Sequence, residues 1–234
     1  MAVRPLRSVL SLQGVTPAER QFSAAPTRLD LELPRGEVAL VQVEDEADAS
    51  ALVDLCVGLV DPGAGRVRFL GVDWATLKPR ERLAGRRRIG AIVQTDVWPS
   101  HMTVLEAVLM ARFYHFDRPP AEVIADATAL ARLFGLPGLP TGRRDTTPVR
   151  ALVRAACVRG FLGSPDLIVV QDHMLDQTSE LAVPMAQAIS AVLDRGGTVL
   201  WITASLAAQA AQFVRPDHVF RLGDSGLVPV RRSR

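Results

Sequence analysis

Four short apolar runs constrain this chain more than anything else in it. They are "VALVQV" (38–43), "RIGAIVQ" (88–94), "DLIVVQD" (166–172) and "GGTVLWITA" (196–204). None alternates apolar with polar, and none is long enough for an ordinary helix. Each therefore predicts a strand buried on both faces. Longer stretches with helical spacing lie between them. Strands alternating with helices give a mostly parallel sheet covered on both sides.

The remaining segments fill in around that sheet. "LDLEL" (29–33) alternates as a half-buried strand, followed by the turn "PRGE". Residues 50–59 predict a helix. "DPGAG" (61–65) is a turn, and "RVRFLG" after it alternates as a strand. The middle of the chain changes character: 103–116, 120–134 and 149–162 all predict helices. Thr103 and Glu106 have the S/T-x-x-E spacing of a capping box. Helices are also predicted at 181–193 and 206–213, and "HVFRLGDSGLV" closes with a strand and a hairpin-like turn.

At 234 residues the chain suits one domain, or a core with a subdomain. A net charge of +2 does not call for nucleic acid. Arginines cluster at 80–88 and 231–234, either as a solvated face or as a docking surface for an acidic partner or anionic lipid. Lys78 is the sole lysine. Cys56 and Cys157 lie in apolar helical runs, which suits reduced core cysteines. No apolar run approaches the roughly 20 residues of a membrane span, and the N-terminal apolar stretch is too short and broken for a signal peptide. His101, His115, His173 and His218 have no metal-ligand spacing.

One junction is unusual. "VQVEDEADASAL" (41–52) runs from a strand into a helix, where a glycine-rich turn would cradle phosphate. There is no glycine. Glu44, Asp45, Glu46 and Asp48 occupy the turn instead.

In this order the segments resemble the nucleotide-binding domain of an ABC transporter, over roughly Leu10 to Leu227. The resemblance is carried by "LPRGEVALV", "CVGLVDPGAGRVRFLGVD", "IGAIVQTDVWPSHMTVLEAVLMA" and "GSPDLIVVQD". It implies an α/β, P-loop NTPase-like fold: a mostly parallel sheet, antiparallel strands near the N-terminus and an inserted helical subdomain. Residues 1–95 and 160–234 would form the RecA-like ATPase core, and 96–159 the helical subdomain.

The chemical positions implied by the resemblance are mostly altered. The phosphate loop falls on Val43, Glu44, Asp45, Glu46, Ala47, Asp48, Ala49 and Ser50. Val43 and Asp48 stand at its glycines and Ala49 at its lysine, and only the Ser50 hydroxyl remains. The signature falls on Thr147, Pro148, Val149, Arg150 and Ala151. Gln171 stands at the Walker B aspartate, Asp172 at the catalytic glutamate and Ala204 at the switch histidine. The adenine-stacking aromatic should lie near Ala18 or Glu19, neither of which can stack; Phe22 is nearby. Gln94 retains the Q-loop glutamine.

These changes carry physical weight. Without glycine the backbone resists turning its amides inward around an anion. Ala49 cannot neutralise a phosphate, and Gln171 lacks the anionic charge that helps hold magnesium. Two like charges about 4 Å apart repel by about 4 kcal/mol at an effective dielectric near 20. The expectation is that neither ATP nor Mg²⁺ binds. The acids are then either an internal substitute for phosphate, capping the helix through Asp48 or a neighbour, or the product of drift.

In the family, a cleft beside the Q-loop receives a short cytoplasmic helix of the membrane subunit. Gln94, Trp98, Met102, Phe113 and Tyr114 would lie near it. "ARFYHF" (111–116) is otherwise core of the helical block. The resemblance thus implies a pseudo-ATPase that acts as a binding or assembly subunit of a membrane transporter complex, peripheral on the cytoplasmic face. Its partners would be an integral-membrane permease and a second ATPase subunit or a second copy, with no nucleic acid. Two alternatives stay open: a weakly active ATP-binding subunit using Ser50 and Asp172, and a soluble regulator or scaffold unrelated to transport.

Overall fold

The structure, a computed structural model, describes residues 8–18, 22–23, 26–93, 98–115, 118–171, 179–204 and 215–230. The expectations at Glu19, Gln94, Asp172, His173 and the helix at 206–213 lie outside these residues.

A six-stranded sheet forms the middle layer, in the order β10 (Gly226–Pro229), β9 (His218–Gly223), β3 (Val38–Gln42), β8 (Thr198–Thr203), β7 (Leu167–Gln171) and β6 (Ile89–Ile92). The five strands from β9 to β6 run parallel, and β10 pairs antiparallel with β9. Every residue of β7 and β8 is buried, which is why their sequences show no alternation.

Period-two geometry divides these strands between two cores. Val38, Leu40, Ile168, Val170, Val199 and Trp201 face one side. There they meet helices α3 (Val104–His115), α4 (Pro120–Leu133), α5 (Val149–Phe161) and α6 (Ala182–Asp194). Ala39, Val41, Leu167, Val169, Leu200 and Ile202 face the other. That side is covered by α1 (Glu46–Cys56) and a four-stranded antiparallel sheet, ordered β2 (Leu29–Pro34), β1 (Ser8–Thr16), β4 (Ala64–Phe69), β5 (Val72–Asp73). The short helix α2 (Pro79–Arg86) leads into β6 and buries no residue.

Two local features position the site. At the start of α3, the Glu106 carboxylate accepts from Thr103 N at 2.8 Å, and Glu106 N donates back to Thr103 Oγ1 at 3.2 Å. This is the reciprocal capping box. On β6, a Cβ at Gly90 would sit 1.8 Å from the Gly160 carbonyl oxygen. Glycine there lets α5 lie directly against the sheet edge.

Candidate functional site

The turn between β3 and α1 takes only Val43, Glu44 and Asp45 before helix begins at Glu46. Val43 is buried, and its amide donates to the Thr203 carbonyl at 2.8 Å. Asp45 is the N-cap, with φ −90° and ψ 132°. Its carboxylate accepts from Asp48 N at 3.0 Å, and its carbonyl accepts from Ala49 N at 3.0 Å. No residue from 43 to 50 has a positive φ. The backbone therefore does not curl around an anion; it enters the helix directly. A helix N-terminus carries about half a positive charge and unmet amides, and here the protein's own carboxylate meets one of them.

Of the carboxylates the sequence offered for this role, Asp45 is the one that caps. Asp48 is 3 % exposed and points elsewhere: its Oδ1 accepts a hydrogen bond from Ser23 N. This ties α1 to the segment holding Phe22, which is itself buried. Glu44, Asp45 and Glu46 remain exposed.

The other positions lie around the same strand ends. Gln171, buried at the end of β7, reaches Ser50 Oγ from Nε2 at 3.4 Å. Ala204 contributes only its carbonyl, which accepts from Gln42 Nε2 at 3.3 Å; Gln42 Oε1 in turn accepts from Arg221 Nε at 3.0 Å. A methyl side chain at Ala204 has nothing to donate. At α5, Thr147 is nearly buried and its hydroxyl donates to the Arg143 carbonyl at 2.7 Å. Pro148 is the N-cap and offers no side-chain bond. Val149 is exposed, Ala151 is half-buried, and Arg150 lies 4.0 Å from Glu180.

A cavity of about 240 Å³ opens between β6, α3 and α5. Its lining includes Arg86, Arg87, Arg112 and Arg159, and no carboxylate among the described residues. Trp98, Met102, Phe113 and Tyr114 do not line it. Trp98 is 5 % exposed and belongs to the core beneath the helices. Met102 and Phe113 are half-buried, and Tyr114 is exposed. The Arg159 guanidinium lies 4.6 Å above the Trp98 ring. Nothing in the local sequence marks Arg159, because the ring it stacks on comes from a distant segment.

No protein-family model matches the sequence. The chain aligns along most of its length with solved ATP-binding cassettes. A dimeric, post-hydrolysis state of the cassette MJ0796 bound to ADP and Pi superposes with a TM-score of 0.79 at 18% identity, covering 93% of this chain and 96% of that one. The fold is that of an ATP-binding cassette. A second cassette, cbiO1 from Clostridium perfringens, part of the ABC transporter complex cbiONQ, superposes at 0.71 with 14% identity, covering 95% of this chain and 87% of its own.

The chain is also similar in sequence to curated proteins. A phosphonates import ATP-binding protein, PhnC 2 of Synechococcus sp. (strain JA-2-3B'a(2-13)), is 30% identical over 149 residues, covering 61% of this chain and 55% of that protein. A methionine import ATP-binding protein, MetN 2 of Burkholderia mallei (strain ATCC 23344), is 30% identical over 202 residues, covering 82% and 48%. The chain spans about half the length of these two relatives. Both are named for ATP binding. No helix among the described residues is long and apolar enough to cross a membrane.

Proposed function

We propose that this chain is a pseudo-ATPase: a cassette kept for binding or assembly in a membrane transporter complex, where it neither binds nor hydrolyses ATP. The observation that carries the reading is Asp45 capping α1. A triphosphate at that helix end would have to displace an internal carboxylate and enter among Glu44, Asp45 and Glu46. Each charge pair about 4 Å apart would add about 4 kcal/mol of repulsion at an effective dielectric near 20, less where water screens it. Gln171 gives Ser50 a neutral hydrogen bond in place of a magnesium-holding carboxylate.

In this reading residues 1–95 and 160–234 act as the cassette core and 96–159 as its helical subdomain. The chain would sit on the cytoplasmic face of the membrane against a permease. A second copy or another ATPase subunit would complete the assembly, and neither ATP nor Mg²⁺ would be a cofactor. The resemblance implies sites that pair one subunit's phosphate loop with its partner's signature. This chain has altered both, at Val43–Ser50 and at Thr147–Ala151. A heterodimer with a normal subunit would then contain no complete site.

The test is co-purification with a candidate permease subunit, then reconstitution one-to-one with a candidate ATPase partner. The account expects association and no ATPase activity from the verified heterodimer. Turnover that is lost on substituting residues 147–151 would overturn it.

A further inference from the structure

We infer that a second cleft, at the amino ends of β3 and β6, binds a small monocarboxylic acid with an apolar tail, and that Arg35 and Arg88 take its carboxylate. The inference stands apart from the pseudo-ATPase reading. The β3–α1 turn follows the carboxyl end of β3, whereas this cleft lies at the other end of the same parallel strands.

The first observation is shape. A cavity of about 420 Å³ opens between the β4–β5 hairpin, α2 and the turn before β3. Small-molecule sites usually fall between roughly 300 and 1,000 Å³. Phe69, Leu70, Val72, Trp74 and Leu77 form the apolar wall. The wall is fixed in advance. The Trp74 ring stacks on Phe69 with centroids 5.5 Å apart, and its Nε1 donates to the Cys56 carbonyl at 3.3 Å. α2 meets this ring at Gly85, where a Cβ would come within 2.7 Å of it. Because α2 buries no residue, the helix rests on the wall without closing over it. A wall already ordered costs an entering ligand little entropy.

The second observation is strain in that wall. Leu70 and Gly71 make the two-residue turn of the hairpin, with φ of 49° and 80°. Asparagine and glycine adopt this left-handed conformation readily, and leucine only against steric resistance. The strained residue is one that lines the cavity. Strained backbone concentrates at ligand clamps.

The third observation is charge. Asp166 accepts from Arg88 Nε at 2.7 Å and from Arg88 Nη2 at 2.9 Å, and it lies 3.9 Å from Arg35 Nη2. Arg35 also donates to the Gly196 carbonyl at 3.3 Å. Two guanidiniums thus share one carboxylate, and the trio keeps a net positive charge. Both arginines line the cavity, and Asp166 is not in its described lining. Glu81 is in that lining, with its carboxylate accepting from the Lys78 amide at 2.7 Å. Guanidinium forks beside an apolar wall suit a carboxylate carried on an apolar tail.

The test is ligand-observed saturation-transfer NMR on the full chain, with butanoate, hexanoate, hexanamide and hexylamine as probes. Hexanoate should bind roughly tenfold more tightly than hexanamide, the worth of a hydrogen-bonded charge. It should also bind on the order of tenfold more tightly than butanoate, as two more buried methylenes predict. Arg35→Gln should bring hexanoate to the level of its amide. Leu70→Asn suits the turn and should weaken hexanoate more than butanoate. Arg132→Gln, on the exposed side of α4, should change nothing. Melting curves establish which variants are folded; if Arg35→Gln unfolds, the amide comparison and Leu70→Asn decide. Equal binding of hexanoate and hexanamide overturns the inference, as does affinity that ignores tail length or either substitution in the cleft. Tighter binding of hexylamine than of hexanoate overturns it too and assigns the cleft to Glu81 and a cation.

Discussion

Gln171 Nε2 donates to Ser50 Oγ across 3.4 Å, joining the end of β7 to the second turn of α1. Gln171 is 3 % exposed, so this is a contact made inside the fold. A hydroxyl and a carboxamide can share a hydrogen bond there, but together they carry no negative charge for a divalent cation. This neutral pair and the Asp45 cap lie at opposite ends of one short stretch, residues 45–50. The stretch is tied within itself at one end and to β7 at the other.

On the proposed reading, single substitutions toward the family pattern should give no turnover. Ala49→Lys, alone or with Gln171→Asp, is expected to give no ATP hydrolysis above background. The Asp45 cap, the backbone without positive φ at 43–50 and the residues at 147–151 all remain. A coupled-enzyme assay on the purified variants checks this. Activity rising from Ala49→Lys alone would mean that the turn can reopen into a cradle.

The cap itself has a measurable weight. Asp45→Ala should destabilise the fold by about 1 kcal/mol, within the usual range of roughly 0.5–2 for losing an N-cap. Asp45→Asn should retain most of that. Urea denaturation of the three proteins gives the comparison. If alanine is as stable as aspartate, the carboxylate is not acting as an internal anion.

How much of this was readable beforehand depended on local signals. The central strands announced themselves because β7 and β8 are buried throughout, and Thr103 with Glu106 announced the start of α3. β1 was not legible: its register shifts twice against β2, which breaks the alternation of its burial. α2 buries nothing and so has no apolar stripe to read. The acidic turn was visible, but which acid caps the helix was not, because any of them could reach by sequence spacing alone. Arg159 was invisible for a different reason. Its contact with the Trp98 ring is made only by the tertiary fold.

The α3 capping box should leave a signature in acid. Thr103, through its amide and hydroxyl, holds the Glu106 carboxyl below the usual glutamate range. A carboxylate whose folded pKa is lowered contributes stability that is fully present above its unfolded pKa and lost as pH falls through its folded value. Glu106→Gln should thus cost more stability at neutral pH than in acid. Chemical denaturation across the acid range tests it, and a pH-independent difference would refute it.

The two cysteines should be inert in the native state. Burial pushes both thiols up to about 12, so neither provides thiolate near neutrality. Ellman's reagent should label Cys56 and Cys157 only as denaturant unfolds the chain. Fast labelling of either in buffer would show that its core opens readily.

The central claim is that the cassette has closed its own nucleotide site, and calorimetric titration of the purified chain with Mg-ATP tests it most directly. The account predicts no saturable heat up to about 1 mM, equivalent to a binding free energy weaker than about −4 kcal/mol. A saturating isotherm with a dissociation constant in the micromolar range, lost on Ser50→Ala, would contradict it.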